Sequence, residues 1–109
     1  MAPIIIFMTA ESKREAQRIA QILLEKRLIA CANIIGPIDS HYWWQRKIEK
    51  ANEFLVLMKS HQSVFSKLAK TVKKMHSYDV PEILGVPIVE GFQPYLKWLD
   101  TVLFSSGES

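Results

Sequence analysis

A chain of 109 residues, 49% hydrophobic and 23% charged, has the size and composition of one globular domain, not of a disordered segment. Its formal charge of +3 comes from lysines and arginines scattered along the sequence, which argues against a nucleic-acid binder with a dense basic stripe. The single cysteine rules out an intrachain disulfide and fits a reducing, cytoplasmic compartment.

The start, Met1-Ala2-Pro3, has no basic leader region. The apolar run at residues 4–10 is too short to cross a bilayer, so no membrane partner is expected. Ile4-Ile5-Ile6-Phe7-Met8 is β-branched and aromatic and reads as the first strand. Ser12-Lys13-Arg14-Glu15 is a capping-box pattern, with Ser12 as N-cap and Glu15 reaching back. Ala16, Ile19, Ala20 and Leu23 follow at helical spacing, which predicts a helix over 13–27. A second strand region starts near Ile29, is interrupted by the bend or bulge signal Gly36-Pro37, and resumes through Tyr42-Trp43-Trp44. Arg46-Lys47 is the expected turn. The third strand region runs from Ile48 through Phe54-Leu55-Val56-Leu57-Met58. Ser63 is the expected cap of a second helix whose apolar face is Phe65, Leu68, Ala69, Val72 and Met75. Residues 83–89 read as a fourth strand, and Pro94 suits the first turn of a short last helix over 95–103. Residues 1–104 thus form one domain, and 105–109 read as a flexible tail.

The order β-α-β-β-α-β plus a helix predicts an α+β, ferredoxin-like sandwich with both main helices on one face of an antiparallel sheet. The other face should then alternate apolar with polar residues. Instead 4–8 and 54–58 are apolar at every position, as in strands buried on both sides. The open face is therefore expected to be covered by further copies of the chain in a closed symmetric assembly.

Between the second helix and the fourth strand lies His76-Ser77-Tyr78-Asp79-Val80-Pro81-Glu82-Ile83. Pro81 fixes its own φ and holds Val80 extended, so an imidazole, a phenol and two carboxylates share a stiff loop. The plain alternative is an ordinary helix-to-strand connection.

Five segments, in order, carry a family resemblance. Ala30-Cys31-Ala32-Asn33 resembles the A-C-x-N segment of CutA-type divalent-cation tolerance proteins. Ser40-His41-Tyr42-Trp43-Trp44-Gln45 with Lys47-Ile48-Glu49 resembles S-x-Y-x-W-x-G-K-[IV]-E, and Glu53, Leu55 and Lys59-Ser60 resemble E-x-x-L…K-T. The loop from His76 to Ile83 is similar to H-P-Y-[ED]-V-P-E-I, and Tyr95-Leu96-Lys97-Trp98-Leu99 to Y-L-x-W-[LIV]. The resemblance implies a fold similar to PII signalling proteins, a compact homotrimer, association with copper and other divalent metals, and no established catalytic reaction. Two departures stand out. Arg46 replaces a Gly that would suit a positive-φ turn, and Ser77 replaces a Pro, which leaves the helix end less rigid.

The candidate metal ligands are His76, Cys31 and Glu82, since imidazole, thiolate and carboxylate together suit copper and similar divalent ions. Each has a structural alternative. Cys31 reads as a small buried hydrophobe, His76 as a helix C-terminal residue favoured by the dipole, and Glu82 as the partner of a lysine. Lys59, Tyr78 and Trp43 are the candidates for lining a cleft between subunits, in which a PII-like trimer would hold a small polar or anionic ligand. Adjacent Trp43 and Trp44 must face opposite ways on a strand, and interface burial suits them better than stacking on single-stranded nucleic acid. The three histidines are scattered, and no serine lies in a nucleophile elbow. The four glycines form no phosphate loop, so nothing composes an enzyme site.

Overall fold

The computed structural model describes residues 2–104. The elements are β1 (Pro3–Ala10), α1 (Lys13–Glu25), β2 (Cys31–Trp44), β3 (Lys47–His61), α2 (Phe65–Met75), β4 (Ile83–Pro87) and α3 (Gln93–Phe104), with a 3₁₀ turn (Gln62–Val64) before α2. They build one antiparallel sheet in the order β2-β3-β1-β4, the expected ferredoxin-like topology. The tail expected at 105–109 lies outside the described residues.

Local chemistry explains most element ends. Ser12 caps α1 by accepting from the Glu15 N–H at 3.1 Å, as its pattern predicts. Glu15 reaches one residue further back than the capping box requires, to the Glu11 N–H at 3.3 Å. The helix stops two residues short of the predicted end because Arg27 turns left-handed (φ 57°). Leu28 then bonds back to Leu23 and Arg27 to Leu24, a Schellman closure with arginine where glycine is usual. Ser63 is not the cap of α2. It lies within the 3₁₀ turn, where its own N–H is accepted by His61 Nδ1 at 3.2 Å.

Even-numbered residues of β1 (Ile4, Ile6, Met8, Ala10) and Val56 and Met58 of β3 are buried against Ala16, Ile19 and Leu23 of α1 and Leu68 and Val72 of α2. This is the core, and it fills the first face of the sheet. The second face carries the odd-numbered set. Directly opposed strand residues point the same way, so Ile5 lies between Lys59 and Val86, and Phe7 between Leu57 and Leu84. Leu57 also faces Asn33, and Leu55 faces Ile35. Ile35, Leu84 and Val86 are 47%, 56% and 44% exposed. Helix α3 covers only one end of this face. It forms a small separate cluster of Ala30, Leu99 and Leu103, with Phe104 edge-on to His61.

One irregularity sets the far end. Ile35 pairs with Leu55 but Ile38 pairs with Glu53, so Gly36-Pro37 inserts one extra residue into β2. The bulge packs closely, since a Cβ on Gly36 would stand 2.5 Å from the Phe54 ring. Beyond the bulge the parity of β2 reverses. Ser40, Tyr42 and Trp44, opposite Ala51, Glu49 and Lys47, share the second face with Glu53, and Trp43 points to the other side.

Candidate functional site

The loop after α2 crosses the end of the sheet and brings its side chains over the second face. His76 is the C-cap of α2, and its side chain is fully buried. Its Nε2–H donates to the Thr9 carbonyl at 2.7 Å, and its Nδ1 accepts from the Tyr78 N–H at 3.0 Å. These two bonds assign the neutral Nε2–H tautomer and occupy both ring nitrogens. The imidazole therefore ties the loop to β1.

Glu15 holds the next residue. Its carboxylate accepts from the Ser77 N–H at 2.7 Å and the Ser77 hydroxyl at 3.1 Å, and it stands 3.8 Å from His76 Nδ1. Burial pushes the Glu15 carboxyl up, but the hydrogen bonds from the Ser77 N–H, the Ser77 hydroxyl and the Glu11 N–H outweigh it and leave the group below its ordinary value. Ser77 thus does not slacken the helix end. Its N–H, which a proline would lack, makes a tether of its own.

Tyr78 lies against the His76 ring, centroids 4.8 Å apart, and donates its hydroxyl to Glu53 Oε2 at 2.6 Å. Burial first, then this bond and the carboxylate charge, raise the phenol well above its ordinary value, so it stays protonated and donating. Further along, Lys73 at the end of α2 bonds the Asp79 backbone and carboxylate.

A cleft of about 570 Å³ opens here between the far half of β2 and the loop. Tyr78 and Glu82 of the predicted residues line it, together with Trp44, Tyr42, His41 and Glu53. Trp43 does not. It is 72% exposed on the opposite side of the ribbon. Cys31 and Lys59 pair with each other at the other end of the second face, four strand positions from the row of Thr9 and Leu55, or about 13 Å. There Cys31 Sγ meets the Tyr95 hydroxyl at 3.5 Å, and Lys59 bonds Asn33 Oδ1. The bond to Cys31 and then burial raise the Tyr95 phenol to about 12. Within one protomer, then, Tyr78 and Glu82 come together beside His76, while Cys31 and Lys59 form a separate group under α3. Among the described residues, no three His, Cys, Asp or Glu gather closely enough to hold a metal ion.

Sequence reasoning missed Glu15, Glu53 and Trp44 as site residues. Counting strand parity through the Gly36-Pro37 bulge would have selected Trp44 over Trp43. Glu53 had a signal too, as a carboxylate at the end of an otherwise apolar run. For Glu15 there was none beyond its capping role.

Residues 4–102 match the model of the CutA1 divalent ion tolerance protein family. The chain belongs to that family. The divalent-cation tolerance protein CutA of Archaeoglobus fulgidus is 47% identical over 95 residues, covering 87% of this chain and 92% of the relative. The human Protein CutA is 38% identical over 103 residues, 94% of this chain but 58% of the human protein, so the chain spans little more than half of that relative. The solved CutA of A. fulgidus, described as a periplasmic divalent cation tolerance protein, superposes with a TM-score of 0.90 at 44% identity, covering 93% of this chain and 98% of that one. Rice CutA1 also gives 0.90, at 36% identity and 95% coverage of both chains. The CutA fold thus accounts for the whole sheet and all three helices. Among the described residues no helix is long and apolar enough to cross a membrane.

Proposed function

We propose that this CutA1-family chain acts in divalent-cation tolerance as a cytoplasmic homotrimer that binds copper or another divalent metal. The second face of the sheet carries the reading. Ile5, Phe7, Leu55 and Leu57 are flanked by exposed Ile35, Leu84 and Val86, and α3 covers one end only. Each apolar Å² removed from water contributes about 25 cal/mol, so covering this face with further copies is strongly favoured. Closed rings are the usual outcome, and three is the number the family resemblance implies.

The candidate metal donors fit this assembly. Cys31 begins β2 and Glu82 precedes β4, the two edges of the sheet. Three interstrand spacings, about 14 Å, separate these edges within a protomer. The two residues can face each other only across a subunit boundary. His76 would join them by releasing Thr9 or Tyr78. No catalytic step is assigned, and the unpaired cysteine supports the reducing cytoplasm.

Light scattering on the size-exclusion peak should give three subunits, and a stable monomer would refute the assembly. Copper titration calorimetry on the parent, Cys31→Ser, Glu82→Gln and His76→Ala then tests the donors. Weaker binding in a variant that keeps its trimer marks that residue as a ligand. Parental affinity with a lowered Tm marks it as structural. If all three variants bind copper as the parent does, the proposed donor set is wrong.

The cleft favours a second reading, a PII-like regulatory trimer that holds a small ligand beside Tyr78 and Glu82.

A further inference from the structure

We propose that the outer face of α1 and α2 docks a short, extended, acidic segment of a protein partner, whose carboxylates meet two rows of cations. The helices lie across the sheet from the face assigned to further copies of the chain, so assembly through that face leaves them open.

The fold gathers here charges that are scattered in the sequence. Together α1 and α2 carry seven lysines and arginines against two glutamates. The whole chain has a formal charge of only +3, so the remainder is net acidic. Of the two glutamates, Glu15 is buried and bonded to Ser77, and Glu25 is bonded to Gln21. Lys67, Lys70 and Lys74 of α2 and Arg14 and Arg18 of α1 are all exposed. The Arg18 guanidinium donates to the Met75 carbonyl at 3.2 Å, which joins the α1 row to the C-terminal end of the α2 row. Among the described residues, ion pairs join His41 to Asp39, Lys73 to Asp79 and His76 to Glu15, so none neutralises these five cations.

Helix stability does not explain the pattern. Lys67 and Lys70, Lys70 and Lys74, and Arg14 and Arg18 are like charges one turn apart, and such pairs repel. Arg14 and Lys67 stand in the first turns of their helices, where the positive end of the dipole disfavours a cation. Of the five, Lys74 alone sits in a last turn, where the dipole favours it. The rows thus act against the helices that carry them, and anions from outside relieve that repulsion.

What else the face offers selects the partner. Leu24, 36% exposed, is the one large apolar side chain exposed on α1 and α2, and no aromatic ring is exposed there. No ring is available to stack on a base, and little apolar surface to enter a bilayer. Lysine is a hydrated point charge, whereas arginine supplies the fork that fits phosphate bidentately, and the α2 row is all lysine. From Lys67 to Lys74 the row runs about 10 Å along the helix. An extended chain advances about 3.3 Å per residue, so about four residues of an acidic segment cover it.

Fluorescence anisotropy of a labelled oligoglutamate peptide with the purified, assembled protein tests the docking face. The peptide should bind at low ionic strength and more weakly as salt screens the exposed charges. Replacing Lys67, Lys70 and Lys74 together by Gln should weaken binding by about tenfold or more. The charge-matched control, Lys47, Lys50 and Lys97 together replaced by Gln, should stay close to the parent. Circular dichroism and subunit count check that both variants fold and assemble. The helix variant should keep or raise the parental Tm, since it removes repulsion; a lower Tm would assign the lysines to helix stability and overturn the proposal. Equal losses in the two variants would overturn it as attraction to net charge. A parent that does not bind the peptide would overturn it outright. Tighter binding of duplex DNA, or of phosphatidylserine vesicles, than of the peptide would overturn the acidic protein segment as the partner.

Discussion

At Gln45 and Arg46 the backbone is left-handed in two successive residues, φ 49° and 71°. They form the two-residue loop between paired Trp44 and Lys47, so the turn is of the I′ type. That turn favours glycine at its second central position, and a long side chain there costs about 1 kcal/mol. Arg46→Gly should therefore stabilise the protein by about 1 kcal/mol, seen as a higher Tm. An unchanged or lower Tm would show the arginine to be unstrained. Glu15 makes the second prediction at this scale. Its folded value lies below the ordinary 4.5, so its contribution is fully present above that pH and is lost as pH falls through the lower folded value. In chelated buffer, stability should drop on the acid side, and Glu15→Gln should flatten that drop while lowering stability at neutral pH. Thermal melts across the acid range check both; a parallel acid slope in the variant would contradict the role given to Ser77 as donor.

The element that matters most is the loop 76–82, because it is held at each of its first three residues. His76 ties it to β1, Ser77 to α1, and Tyr78 to β3. Tyr78→Phe removes the donor from a buried carboxylate, which costs about 1–3 kcal/mol. Chemical denaturation should report that loss; none would mean that water or another group replaces the phenol. The loop's stiffness was legible in the sequence from Pro81 alone, but its anchoring was not. Thr9, Glu15 and Glu53 lie 25 to 67 residues away in the chain. Only strand pairing and helix packing select them.

For the whole molecule, the two faces of β3 make the test. Val56 is fully buried under the helices, whereas Leu57 lies on the second face between Asn33 and Phe7. Val56→Asp places an unpaired carboxylate in the core at a cost of several kcal/mol, a large share of the typical stability of about 5–15 kcal/mol, and should unfold the chain. Leu57→Asp should instead yield a folded protein that no longer assembles. Circular dichroism with light scattering distinguishes the two, and a Leu57→Asp protein of parental size would show that this face is not the interface.

The sequence by itself determined the element order, the fold, the family and the doubly apolar strands. All of these follow from hydrophobic periodicity and local turn and cap chemistry, which act over a few residues. It also carried the bulge at Gly36-Pro37 and the strained turn at Arg46. Which residues meet was decided only by the tertiary structure. The single inserted residue in β2 reversed its parity and turned Trp44, not Trp43, into the cleft. The registers of β2 on β3 and of β3 on β1 set Cys31 and Lys59 four strand positions, about 13 Å, from the row of Thr9 and Leu55. Burial closed both nitrogens of His76 into backbone bonds and set the Tyr78 phenol on the Glu53 carboxylate. Such outcomes depend on distances between residues far apart in the chain, which no local pattern encodes.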